Sequence, residues 1–263
     1  MSDARAHQAL VDSIWDFDNP ADSEARFRGA IPSASDRLTA DILLTQVARA
    51  LGLQQKYAAA TELLDGLPTT DPELSVRLGL ERGRVLNSSG SPDAARPLFE
   101  AAFEAATTAG FENLAVDALH MVAIVAPPDE QEPLNRRALE IAAGADDPRA
   151  RQWRGSLLSN LGWTVFERGD YPAALTLFED ALAERAAQGT KAPVQIARWC
   201  VGRTLRALGR LDDALAIQRA LAAEHAAAGT SDPFVQEELS ELESALTAGS
   251  PQNQAPADPP AAP

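Results

Sequence analysis

The sequence predicts an all-α fold, a row of about six antiparallel helix pairs closed by one further helix. Three observations carry that expectation. Apolar residues recur at three- and four-residue spacing, as in Leu157, Leu158, Leu161 and Val165 and again in Leu175, Phe178 and Leu182. Strand signals are missing, with no Val/Ile/Thr alternation and no Asn-Gly or Asp-Gly pair set between alternating runs. The chain is also punctuated by one device. Asp71-Pro72, Asp147-Pro148 and Asp232-Pro233 each read as an N-cap followed by Pro at the first helical position, and Asn19-Pro20 and Ser91-Pro92 repeat the pattern. The cap side chain accepts an otherwise unpaired helix N–H, and Pro has none to leave unpaired.

Taken in order, the first pair is marked by Val11, Ser23, Phe27 and Ala30, and the second by Ala48, Tyr57, Ala60, Leu64 and Leu67. The third carries Gly83, Gly90, Ala95, Phe99 and Ala102. The fourth, at about residues 112–145, keeps Ala123 and Ala138, but Pro127-Pro128 replaces its turn and its helix lengths are open. The fifth and sixth match each other most closely. Gly162 lies 40 residues before Gly202, and Ala174 lies 40 before Ala214. Gly169 and Gly209 suit the left-handed turn that ends the first helix of each pair. Residues Asp232–Ala248 read as a closing helix, with Phe234, Leu239, Leu242 and Leu246 inward and Glu237, Glu238, Glu241 and Glu243 exposed. The Pro/Ala-rich segment 249–263 holds too few large apolar groups to offset chain entropy and is expected to be a disordered tail.

The order Gly162, Gly169-Asp170-Tyr171, Ala174, Phe178, Ala181 resembles the tetratricopeptide repeat, whose small residues let the two helices of a hairpin approach closely. The resemblance covers most of residues 3–228, at spacings longer than the ~34 residues of the standard repeat. It therefore implies the longer-repeat variant, an α–α superhelix spanning residues 1–248 as one domain. In that family the first helix of each pair lines a concave groove. Carried over residue by residue, the groove holds Arg5, Gln8, Asp12 and Trp15 in the first repeat; Ile42, Thr45, Arg49 and Gly52 in the second; and Arg77, Leu80, Arg84 and Asn87 in the third. Asp117, His120, Ile124 and Pro127 follow in the fourth, Ser156, Ser159, Trp163 and Phe166 in the fifth, and Ile196, Trp199, Arg203 and Arg206 in the sixth. The peptide-binding candidates are Arg49, Arg77, Arg84, Asn87, His120, Trp163, Phe166, Trp199, Arg203 and Arg206. The chaperone-type carboxylate clamp of the family is not matched, because Lys56 and Lys191, the only lysines, fall off its positions.

Formal net charge is −15 over 263 residues, which opposes nonspecific binding to nucleic acid. The mapped groove positions nevertheless carry six Arg against two Asp. That reversal implies a protein or peptide partner, acidic or ending in a carboxylate, gripped by Arg forks and Trp faces. Two readings of Arg203 and Arg206 stay open, since Glu237, Glu238, Glu241 and Glu243 of the closing helix could pair with them instead. A register shift of one would also put the tryptophans in the core.

Catalytic signals are thin. His7, His120 and His225 stand far apart, and no HExxH, GxSxG or phosphate-loop string occurs. Cys200 is the sole cysteine, so neither an intrachain disulfide nor a Cys-based zinc site can form, and it reads as a buried structural thiol. The N-terminus lacks a signal peptide's apolar core, and no apolar run approaches the ~20 residues of a membrane span. A cytoplasmic, bacterial, non-enzymatic scaffold or adaptor without cofactor is the expected reading, the basic residues being nearly all Arg as in GC-rich genomes. The alternatives are a sensor of a short signalling peptide, with no room for a helix-turn-helix before the first hairpin, and an enzyme or accessory subunit of helical-hairpin fold.

Overall fold

Helix starts fall where the cap signals put them. The computed structural model describes residues 3–189 and 191–248, and the expected tail at 249–263 lies outside them. In chain order the helices are α1 (Asp3–Ile14), α2 (Pro20–Ala30), α3 (Arg37–Leu53), α4 (Tyr57–Asp65), α5 (Pro72–Ser88), α6 (Pro92–Ala109) and α7 (Glu112–Val125). There follow α8 (Pro128–Gly144), α9 (Pro148–Arg151), α10 (Arg154–Glu167), α11 (Tyr171–Gln188), α12 (Lys191–Ala207), α13 (Leu211–Ala227) and α14 (Pro233–Ala248). No strand occurs among the described residues. The side chains of Asn19, Asp71, Asp147 and Asp232 each accept from a backbone N–H in the first turn they precede. Ser91 starts α6 without a side-chain cap bond, so there Pro92 alone marks the start. Gly169 and Gly209 have φ of +83° and +73°, the left-handed turn expected at both places.

Consecutive helices pair, and the hairpins lock through one recurring contact. A Cβ built on Gly162 would stand 2.7 Å from the Phe178 ring, and Gly83 faces Phe99 in the same way. At Gly202 the same seat is filled by Gln218, whose Nε2 would lie 2.7 Å from the added carbon. Only glycine lets an aromatic ring or a buried amide reach the opposing backbone at these sites. Ala48, Ala60, Ala95, Ala174, Ala181 and Ala214 are all fully buried, as close helix approach requires.

The helices form two units, the first ending at Leu157 and the second beginning at Leu158, with the boundary inside α10. The first unit holds a cluster around Phe27, Ile42, Leu43, Leu64 and Leu78, and another around Phe99, Leu114, Leu119 and Leu157. The second unit packs around Val165, Phe178, Cys200, Leu205 and Leu242. In the fourth repeat, Pro128 takes the first position of α8 behind Pro127, and α7 is 14 residues long. The two prolines shorten the turn and leave both helices regular.

Two expectations are corrected. In α14 the buried positions are Val235, Glu238 and Leu242, while Phe234 is 62% exposed. Val235 is thus buried in place of Phe234, and Glu238 finds arginine partners that make its burial tolerable. Secondly, α1 is not an ordinary first helix of a pair. Its N-terminal half reaches beyond α2 and α3 to α5 and α7, through His7 to Glu73 and Arg5 to Glu112.

Candidate functional site

In the second unit, sequence-predicted site residues come together. Trp163 of α10 packs edge-on against Phe166 (5.3 Å between ring centroids) and lies 6.0 Å from Trp199 of α12. The Arg203 guanidinium stands over both Trp199 (5.6 Å) and Phe166 (5.9 Å). Arg203 and Arg206 converge on one carboxylate. Arg203 Nη1 donates to Glu238 Oε1, and Arg206 Nε and Nη2 donate to Oε2 at 2.8 Å and Oε1 at 3.0 Å. Of the two open readings for these arginines, the geometry presents the internal pair. Burial alone would raise the Glu238 carboxyl, but the hydrogen bonds and charges of Arg206 and Arg203 hold it below the usual carboxylate range. Arg203 keeps a side-chain exposure of 35%, with only Nη1 engaged.

Beside this patch opens an apolar cavity of about 430 Å³, lined among others by Ile196, Trp199, Leu221, His225, Phe234 and Val235. Ile196 (56%) and Phe234 (62%) are large apolar side chains left to solvent at its edge. The Trp199 indole N–H is buried without a hydrogen-bond partner. Sequence reasoning missed Phe234 as a rim residue, taking it as core. The signal was its place directly behind an Asp-Pro cap, in the first turn of the closing helix.

In the first unit, Arg77 and Arg84 are drawn into ion pairs and Arg49 onto aromatic rings. Arg77 is 3% exposed, its Nε donating to Glu73 Oε1 (2.9 Å) and its Nη2 to Gln8 of α1 (3.2 Å). Arg84 bridges Glu81 and Asp117, both buried, which keep its charge in place although burial opposes it. Arg49 stacks over Phe17 (5.3 Å) and Trp15 (5.7 Å), and burial with the neighbouring Arg84 pushes its pKa down. Burial likewise pushes His120 down to about 4, and its ring lies 5.2 Å from Trp153. Asn87 sits half-buried near the end of α5. Ile42, Thr45 and Leu80, mapped to the groove, are buried instead. The acids that offset these arginines, Glu73 and Glu81, fall one turn away from the mapped positions and so escaped the count.

Cys200 is 2% exposed, and burial pushes its thiol up to about 11. It is therefore a protonated core group at neutral pH. No helix among the described residues is long and apolar enough to cross a membrane.

Comparison with known proteins agrees with the geometry. The tetratricopeptide repeat family model matches residues 155–187, which take in all but the first residue of α10 and all but the last of α11. No curated protein sequence matches the chain. Among solved structures, the chain is similar to BtubC (BKLC) from P. vanneervenii, at 16% identity and a TM-score of 0.59 over 91% of this chain and 97% of that one. It is similar to the apo form of RapI, at 11% identity and a TM-score of 0.66 over 93% and 71%. It also resembles NprR in complex with its cognate peptide NprX, at 12% identity and a TM-score of 0.57 over 94% and 72%. The chain is thus an all-α helical-repeat protein of tetratricopeptide-like fold, and its fifth hairpin matches the tetratricopeptide repeat family model itself.

Proposed function

We propose that this protein is a non-enzymatic interaction scaffold whose second unit grips a partner segment by one apolar side chain and one carboxylate. The observation that carries the reading is the apolar cavity rimmed by exposed Ile196 and Phe234, set against Trp199 with Arg203 stacked on it. A partner's apolar residue fills the cavity, and its acidic side chain or C-terminal carboxylate meets the unengaged donors of Arg203. Two guanidinium groups share the single buried carboxylate of Glu238, so the patch keeps affinity for a second anion. Glu241, 60% exposed and 3.8 Å from Arg206, is the side chain an incoming carboxylate displaces.

Fluorescence anisotropy with acidic and basic peptide libraries, each carrying one large apolar residue, tests this. Arg203→Ala and Phe234→Ser should each weaken the acidic binders about tenfold or more. Equal affinity in wild type and both variants would sink the reading. A second reading, that the partner is a short signalling peptide, is favoured by the fold's similarity to NprR solved with its cognate peptide. It predicts full affinity for a short isolated peptide, whereas a scaffold gains affinity from flanking protein surface.

A further inference from the structure

The first unit contains its own occupant. Helix α1 reaches α3, α5 and α7, the first helices of successive pairs, and the short α9. His7 Nδ1 is 2.8 Å from Glu73 of α5, and its Nε2 is 3.3 Å from Thr39 of α3. Arg5 reaches Glu112 of α7 (3.5 Å) and Asp147, the cap of α9 (3.8 Å). Asp12 accepts from Arg149 of α9 at 2.8 Å, across 137 positions of sequence.

The manner of attachment differs from that of a structural helix. Val11 is the one buried side chain among the described residues of α1, and with Ile14 and Trp15 it anchors the C-terminal end. Residues 4–8 have no such anchor. They are held by polar contacts, the innermost being His7 to Glu73 with side chains 11% and 5% exposed, and sit over a polar cavity of about 320 Å³ bounded by Arg5, Arg77, Glu112 and Asp147. The side chains of Arg5 and Asp12 are 35% and 37% exposed, so their ion pairs are screened and weak. A helix of 12 residues is marginal when undocked, so release costs little in lost helix.

We propose that α1 is an exchangeable intramolecular ligand of the first unit, holding the place of an external helix that carries the same two charges. When α1 leaves, Glu112 and Asp147 lose their cation and Arg149 loses its anion. The vacated face then selects a helix with a basic residue followed seven positions on by an acidic one, two turns apart along one side. This surface is separate from the cavity in the second unit and stands or falls independently of it.

The test uses the full chain in wild type and in the variant Arg5→Ala/Asp12→Ala, which weakens α1 and leaves the receiving helices untouched. A labelled peptide of residues 3–16 in the natural sequence is the probe. It should bind the variant about tenfold or more tightly than wild type. The same peptide with Arg5→Asp and Asp12→Arg should not bind. Hydrogen exchange of amides 5–14 should quicken in the variant while those of α5 stay unchanged. Two results overturn the proposal: amides 5–14 as protected as α5 in the variant, or a freed α1 with no binding of the natural peptide.

Discussion

Glu238 carries the closing helix of the second unit, a charged residue doing the work usually left to leucine. Its 1% exposed carboxylate is tolerated because two arginines reach it from α12. Glu238→Ala should cost about 1–3 kcal/mol in thermal denaturation, discounted because both arginines keep access to water. Its carboxyl pKa is lowered in the folded state, so its stabilisation is present above the unfolded value of 4.5 and is lost as pH falls through the folded one. Glu238→Gln should flatten that acid limb. His120 works in the opposite ionic form, neutral when folded. Between pH 6.5 and about 4 the unfolded chain binds a proton that the folded chain refuses, so stability falls as pH drops through that window. The loss should approach, at most, about 3 kcal/mol, and His120→Gln should remove the slope. Neither effect was legible in the sequence. Glu238 lies among four glutamates, and which one is buried depends on arginines in another helix.

Helix identity was easier to read than helix phase. Cap chemistry is local, so Asp71, Asp147 and Asp232 marked their starts correctly. Phase depends on what lies opposite. In α14 Leu239, Leu242 and Leu246 face the core as the apolar pattern suggested, but Phe234 lies exposed while Val235 and Glu238 are buried in its stead. The α1 contacts were beyond sequence reach for a different reason, since Asp12 and Arg149 meet only after the intervening helices have stacked. Raising ionic strength should speed hydrogen exchange at the ends of α1 held by the exposed Arg5 and Asp12 pairs and leave α5 unaffected, because those pairs are screened while α5 is held by buried contacts.

Repeat architecture confines damage. Each hairpin draws its stability from its immediate neighbours, and the clusters of the two units are built from separate residues. Gly202→Leu would drive a side chain into Gln218 and should cost roughly 1–3 kcal/mol. Exchange should then quicken in α12, α13 and α14 while α3 to α6 keep their protection. A uniform rise along the chain would contradict this locality. The repeated hairpin was legible because Gly, Ala and Phe recur in order, and the groove's charge was not, because pairing acids sit off the mapped positions.

The glycine seat also bears on how such a protein is detected by descent. Three seats share one shape, yet the sixth hairpin seats an amide where the third and fifth seat a ring. Each seat needs fit only with its own partner, so a ring and an amide serve the same close backbone approach. Only residues 155–187, which retain both Gly162 and Phe178 with Tyr171 at the turn, still match the family model. A sequence match thus rests on one hairpin, while the same fold extends through copies that seat other side chains.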